Sequence, residues 1–217
     1  MQCAPELKCG GAIRRCFQND MKPKTQFADD KPILVFKRKN TWAAWLDENH
    51  GSSSGVWLRL AKKASGVESV SRDEALDVAL CYGWIDGQAK SEGEIHWLQK
   101  FTPRSKRSIW SKRNRDKVQA LIETGEMRSA GLAEIERARK DGRWEAAYDS
   151  PRNISVPDDL KAALDENGQA KSVFGTLDSR NRYAILFRIH TAKKVETRAK
   201  RIRQFVEMLA RNEKLYT

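Results

Sequence analysis

Hydrophobic residues recur with two different periods in this chain, and the change between them lies near residue 108. Before it, the run "GVWLRLAKK" alternates, with Val56, Leu58 and Leu60 on one face, as in a strand with one buried side. After it, apolar residues recur every three or four positions, as on one face of a helix. The first half therefore predicts a sheet accompanied by helices, and the second half predicts helices alone.

Local signals place the elements of the first half. Ser71 and Glu74 form a capping-box pattern at the start of a helix that Gly83 ends. The segments "WIDGQAK" and "EIHWLQKFTP" follow as two strands joined by a turn, which predicts a hairpin. With two earlier apolar runs they make an antiparallel sheet of about four strands. The predicted fold class is α+β, with a small antiparallel β-sheet and helices in the N-terminal half and a helical C-terminal half.

The chain of 217 residues is long enough for one domain or two small ones that share an interface. The first thirty residues show no periodicity, and "PRNISVP" interrupts the helical pattern of the second half. We therefore predict four segments: a flexible N-terminal extension at 1–30, an α+β sheet region at 31–110, a helical connection at 111–150 and a helical C-terminal module at 151–217.

The charge is strongly basic and unevenly distributed. Lysine and arginine number 41 against 29 acidic residues, a formal net charge of +12. Residues 101–140 carry a net charge of +6 and residues 180–217 carry +8. Such blocks attract polyanions, including nucleic acid and anionic membrane surfaces. The alternative is that they are solvated helix faces without a partner.

The cysteines and the N-terminus bear on location. Cys3, Cys9 and Cys16 have a spacing that matches no zinc module, and Cys81 lies in an apolar helix end as a small core residue. The N-terminus lacks the apolar region of a secretory signal, and no run approaches the ~20 apolar residues of a membrane span. We therefore expect a cytoplasmic protein without a transmembrane segment.

The common catalytic, phosphate-binding and metal-binding motifs are absent from the sequence, so we predict no catalytic residues, no metal and no cofactor. Asp86 leaves one alternative open. Simple strand alternation would place it on one face with Trp84 and Gln88, where a raised pKa would suit an acid or base. Alternatively, Asp86 forms an ion pair with Arg104 that braces the sheet. On balance the sequence favours a binding protein over an enzyme.

The segment "FTPRSKRSIWSKRNRDK" interleaves aromatic and cationic residues. Phe101 and Trp110 bracket Arg104, and Ser111 can cap the helix that follows. Free N–H groups and cations at a helix start form an anion site for a small ligand or a nucleic-acid backbone. The alternative is a loop with a buried tryptophan and solvated cations.

Several longer segments carry a family resemblance. In order they are "LCYGWIDGQ", "FTPRSKRSIWSKRN", "GLAEIERARKDGRWEAAYD", "VPDDLKAALDEN" and "SRNRYAILFRIHTAKKVETRAKRI". Together they resemble the bacterial YdeI/OmpD-associated proteins, also called bacteriocin-protection proteins, over about residues 33–213. The resemblance implies a role in tolerance of bacteriocins and cationic antimicrobial peptides and an outer-membrane porin partner. It also implies that residues 151–217 form an OmpD-associated module. Some relatives are described as periplasmic, in contrast to the cytoplasmic location expected here.

Motif residues that could face a ligand form two groups. The candidate ligand-binding residues are Trp84, Asp86, Gln88, Arg104, Trp110, Ser111 and Asn114. The candidate secondary basic surface comprises Arg180, Asn181, Tyr183, His190, Lys193 and Arg198.

These observations favour a non-enzymatic bacterial stress and antimicrobial-resistance protein that binds an anionic ligand or protein partner. A chain with a net charge of +12 repels cationic peptides, so the resistance role is expected to be indirect. The alternatives are a nucleic-acid-binding protein that uses both basic blocks and an enzyme that uses Asp86 as acid or base.

Overall fold

A computed structural model describes residues 31–216. The predicted extension at 1–30 lies outside the described residues. Within them the elements are, in chain order, β1 (Ile33–Leu34), α1 (Lys39–Asn49), β2 (Val56–Ala61), α2 (Arg72–Cys81), β3 (Trp84–Glu92), β4 (His96–Pro103), α3 (Lys112–Glu123), α4 (Ser129–Lys140), α5 (Asp158–Asp165), α6 (Gly168–Gly175), α7 (Ser179–His190) and α8 (Val195–Ala210). The α+β fold class is confirmed.

The four strands form one sheet in the order β1-β2-β4-β3. β4 pairs antiparallel with both β2 and β3, as predicted. The prediction of a purely antiparallel sheet is wrong at the edge, because β1 runs parallel to β2, with Ile33 opposite Trp57. Helix α1 connects these two strands and returns the chain to the same end of the sheet, as a parallel pair requires.

An irregularity in β3 changes the predicted arrangement of its side chains. The β3–β4 register shifts between Asp86 and Ala89, which is a β-bulge. The buried side chain of Gln99 occupies this bulge, and its Nε2 donates to the carbonyl oxygens of Gly87 and Gln88 at 3.0 and 3.2 Å. The regular alternation that placed Trp84, Asp86 and Gln88 on one face therefore stops at Asp86.

Two hydrophobic clusters hold the described residues together. The first packs α1 to α4 against the sheet and includes Trp42, Trp84, Trp110 and Trp144. The second lies among α5 to α8 and includes Leu160. The predicted segment boundaries stay a prediction, but α3 and α4 share their core with the sheet.

Helix α2 shows how closely local sequence sets local structure here. The Ser71 Oγ accepts from the Glu74 N–H at 3.3 Å, and Glu74 Oε2 accepts from the Ser71 N–H at 2.9 Å. Hydrogen bonds from Ser71 lower the pKa of Glu74. Gly83 follows the helix with a φ of +74°, a conformation that glycine adopts without steric cost. The capping box and the glycine stop are thus confirmed.

None of the helices between residues 31 and 216 combines the length and apolar character that a membrane crossing requires.

Cys81 is buried at the end of α2, and this burial raises the pKa of its thiol to about 11.

Candidate functional site

A cleft of about 270 Å³ lies where the two halves of the chain meet, and we call it the junction cleft. Its walls come from α2, β3, the start of α3, the segment that connects the two clusters, and α7. The lining residues are Arg72, Leu76, Asp86, Ser111, Arg113, Asn114, Tyr148, Ser150, Pro151 and Tyr183. Three of the predicted ligand-binding residues and one of the secondary group are therefore brought together here: Asp86, Ser111, Asn114 and Tyr183.

The start of α3 is fixed to the connecting segment by backbone hydrogen bonds. The N–H of Lys112 donates to the carbonyl of Tyr148 at 2.9 Å, and the N–H of Tyr148 donates to the carbonyl of Trp110 at 3.0 Å. Ser111 caps the helix as predicted, since its Oγ accepts from the N–H of Asn114 at 3.1 Å. Of the first three helical N–H groups, that of Arg113 has no partner within residues 31–216.

The side chain of Asn114 is the second unused donor group in this cleft. Asn114 is only 8% exposed, yet its side-chain amide makes no hydrogen bond to any residue that the structure describes. Because no described residue pairs with this amide on the cleft wall, it is free to hydrogen-bond a ligand or water in the cleft. This observation is independent of the helix start itself.

The helix start is also positive. The first turn of α3 has no acidic residue, whereas α2 carries Asp73 and Glu74 in its first turn. An acidic side chain there would offset the positive end of the helix dipole, and α3 has Lys112 and Arg113 instead. Both cations form exposed pairs with aspartates, which contribute little because water and salt screen them.

Asp86 also lines the cleft and forms an ion pair, but with a different partner from the predicted one. Arg72 Nη2 lies 2.7 Å from Asp86 Oδ2, and the Asp86 side chain is 16% exposed. The predicted pairing of Asp86 with Arg104 is therefore wrong. Because Arg72 begins α2, the pair joins that helix to β3.

Two tyrosines line the cleft between these walls. Burial raises the pKa of Tyr183 to about 12, and burial together with the charge of Asp86 raises the pKa of Tyr148. Both hydroxyls therefore stay protonated at neutral pH and can donate or accept hydrogen bonds. The ring of Phe187 contacts both, at centroid distances of 4.9 and 5.6 Å.

Arg104 and Trp110 lie beneath this surface. Arg104 is 5% exposed, and its Cζ lies 3.5 Å from the centroid of the Trp110 ring. Its Nη1 donates to the carbonyl of Ile109 at 3.3 Å, while Nε and Nη2 find no acceptor in the described part of the chain. Burial lowers the pKa of Arg104 to about 10, so it remains a cation at neutral pH.

The buried charge of Arg104 acts on the junction cleft. Its charge interacts with Tyr148 and Asp86, both of which line the cleft. Trp110 is 2% exposed and packs edge-on against Trp144 at 5.0 Å. The structure supports a role for Arg104, stacked on Trp110, in adding positive potential near the cleft lining. Direct contact of Arg104 or Trp110 with a ligand stays a prediction.

The remaining primary candidates lie away from the cleft lining. Trp84 is 1% exposed, and its Nε1 donates to the carbonyl of His50 at 3.1 Å while its ring packs edge-on against Trp42. Gln88 is exposed at the bulge of β3. Ligand binding by these two residues also stays a prediction.

The secondary candidates are distributed along α7 and beyond it. Arg180 stacks on the ring of Tyr216 at 4.2 Å, and the 1% exposed Asn181 bonds to the backbone of Tyr216. These residues lie at the start of α7. His190 is at its other end, about 10 Å from Tyr183 at 1.5 Å per residue, so the group is divided between two places.

Two of the candidates near and after the end of α7, Arg198 and His190, already contact other residues of the C-terminal half. Arg198 binds Asp159 through two nitrogens at 2.6 and 2.9 Å. A ring nitrogen of His190 lies 3.0 Å from the carbonyl oxygen of Ser155, and Lys193 is exposed. Their ligand-binding role stays a prediction.

Sequence reasoning missed six of the ten cleft residues, including Arg72, Arg113 and Tyr148. Arg113 lies two residues after the recognised Ser111 cap, so a signal for it was present. Arg72 and Tyr148 reach the cleft only through tertiary contacts, and no local pattern marks them. Among residues 31–216, no group of three or more His, Cys, Asp or Glu side chains is placed to hold a metal ion.

Family models match the two sides of this cleft separately. Residues 153–212 match the model described as "Bacteriocin-protection, YdeI or OmpD-Associated". The resemblance is therefore confirmed for the C-terminal helices, which form the second hydrophobic cluster. Residues 34–134 match a different model, described as "Domain of unknown function (DUF8412)".

The junction cleft takes its walls from both matched segments and from residues 148–151 between them. Searches of curated proteins and of solved structures found no match to the chain.

Proposed function

We propose that this protein, whose C-terminal helices match the YdeI/OmpD-associated model, binds a small anionic ligand in the junction cleft, and that this binding underlies an indirect role in bacteriocin tolerance. The unpaired amide of Asn114, on a wall formed by the positive start of α3, is the observation that carries the proposal. A helix start with free N–H groups is a favourable place for phosphate or carboxylate.

The size of the cleft favours a small ligand. At about 270 Å³ it lies just below the range of roughly 300–1,000 Å³ in which drug-sized molecules bind. A single phosphate- or carboxylate-bearing molecule fits this volume. The net charge of +12 also favours an anion over a cationic peptide.

The adjoining groove gives less support to a polyanion. That groove, of about 620 Å³, is lined by four cations of α3 and joins the junction cleft at Arg113 and Ser150. Three of the four cations already pair with aspartates at 2.6–2.8 Å: Lys112, Arg113 and Lys117. A nucleic-acid backbone would have to displace these carboxylates, whereas a small anion at the start of α3 needs only the unused donors.

Arg113→Gln is expected to weaken binding of inorganic phosphate about tenfold, because a positive charge beside the free N–H is lost. Isothermal titration calorimetry of the full chain at constant ionic strength measures the change. Arg203→Gln is the matched control, since it removes the same charge from an exposed position on α8.

The control variant is expected to bind phosphate within about twofold of the wild type, because its charge lies outside the cleft and is screened. An equal loss of affinity in both variants would mean that phosphate responds only to net charge. Undetectable phosphate binding by the wild type would reject the proposed function.

A further inference from the structure

The junction cleft has two chemically different walls. The start of α3 offers donors: the Arg113 N–H, the Asn114 amide and the Ser111 hydroxyl. Asp86 of β3 offers an acceptor, its carboxylate. A ligand that contacts both groups carries an anionic group and a hydrogen-bond donor.

The hydrogen bonds of Asp86 indicate which kind of donor group the ligand carries. Its Oδ2 accepts from Arg72, but its Oδ1 has no partner among residues 31–216. A carboxylate oxygen accepts hydrogen bonds, so this one can accept an N–H or O–H from a ligand. Arg72 already balances the charge of Asp86, and only one of its nitrogens makes that contact. A neutral hydroxyl therefore suits this oxygen better than a second cation.

The rest of the cleft lining has a mixed character. Leu76 and Pro151 are apolar, and the rings of Tyr148 and Tyr183 present apolar faces with protonated hydroxyls. Such a lining suits a short carbon chain that bears hydroxyl groups. At about 30 Å³ per water, 270 Å³ holds about nine waters, or on the order of ten non-hydrogen atoms.

We propose that the ligand is a hydroxylated phosphate monoester, a small polyol or sugar phosphate. Its phosphate lies at the start of α3, and one of its hydroxyls donates to Asp86 Oδ1. This inference rests on the proposed anion site and adds the class of ligand that the site selects. Asp86 is then a specificity-determining residue rather than an acid or base.

Titration of the full chain with inorganic phosphate and with glycerol 3-phosphate tests this assignment. The wild type is expected to bind the ester at least about tenfold more tightly, because Asp86 and the tyrosines contact only the ester. Asp86→Asn is expected to remove most of that difference. Its affinity for inorganic phosphate is expected to stay equal or rise, since a negative charge leaves the cleft.

The two ligands separate failure of this inference from failure of the anion site. If neither ligand binds the wild type, the anion site itself is rejected. If phosphate binds but the ester binds no more tightly, only the ligand class is overturned. Asp86→Asn that weakens both ligands equally would also overturn it, because Asp86 would then act through the structure of the site.

A second variant keeps the proposal testable if Asp86→Asn misfolds. Tyr183→Phe keeps the ring on α7 and removes only the hydroxyl. It is expected to lower the affinity for the ester several-fold and to leave the affinity for phosphate unchanged. Near-ultraviolet circular dichroism confirms that each variant retains wild-type packing. Ester affinity that is unchanged in both folded variants would overturn the proposal.

Discussion

Gly131→Ala is expected to lower the free energy of unfolding by about 3 kcal/mol, because an added methyl group would clash with another helix. A Cβ at this position would overlap the carbonyl oxygen of Cys81 and lie 2.8 Å from that of Leu80. Both obstacles are backbone atoms at the end of α2, where the Arg128 N–H also bonds to the Cys81 carbonyl at 3.2 Å. The helices must separate to admit the methyl group, although alanine ordinarily stabilises a helix interior.

Urea unfolding followed by circular dichroism measures this loss. Gly175→Ala in α6 is the matched control, since a Cβ there would meet nothing within 4 Å. The control is expected to be neutral or to gain up to about 1 kcal/mol from the lower entropy of the unfolded chain. Equal stability of the two variants would show that α4 does not approach α2 as closely as described.

Arg104→Ala is expected to lower the free energy of unfolding by about 3 kcal/mol, and Arg104→Met to change it by less than about 1 kcal/mol. Arg104 is 5% exposed and stacked on Trp110, so truncation leaves a cavity beneath that ring. A methionine side chain fills a volume similar to that of arginine and carries no charge. It therefore avoids the cost of burying a cation of which two nitrogens have no acceptor among the described residues. The difference between their free energies of unfolding distinguishes the contribution of side-chain packing from that of the charge.

Urea unfolding of both variants, with phosphate titration of the methionine variant, tests this separation. If Arg104→Met is as destabilised as Arg104→Ala, the stacked cation stabilises the fold through its charge. The methionine variant is also expected to bind phosphate more weakly, because the positive potential behind the cleft is lost.

The parts of the fold that follow local rules could be predicted from the sequence. The capping box of Ser71 and Glu74, the glycine stop at Gly83 and the Ser111 cap are all set by residues within four positions of each other. Such rules do not hold everywhere: serine is a favoured cap, yet Ser129 is the first helical residue of α4 and Arg128 precedes it as the cap.

Features that depend on long-range packing could not be predicted. Strand β1 is two residues long, too short for its pattern to reveal a parallel partner. The bulge after Asp86 is held by the side chain of Gln99 from the neighbouring strand. Because the bulge and the Arg72 pair both arise from tertiary structure, the surroundings of Asp86 differ from those that strand alternation predicted.

The candidate site was partly predictable for the same reason. Ser111 and Asn114 were identified because a helix start with cations is a local signal for an anion. Arg104 stood out by its charge, but the sequence did not reveal that Trp110 would cover it. Tyr148 comes from a region without periodicity and reaches the cleft through its backbone pairing with α3.

The central claim is that the start of α3 binds an anion, and an NMR titration of the full chain with inorganic phosphate tests it most directly. We predict that the largest chemical-shift changes occur at the backbone amide of Arg113 and the side-chain amide of Asn114, and that they saturate together. Largest changes at the exposed cations of α8, such as Lys200 and Arg203, with Arg113 and Asn114 unmoved, would contradict the account.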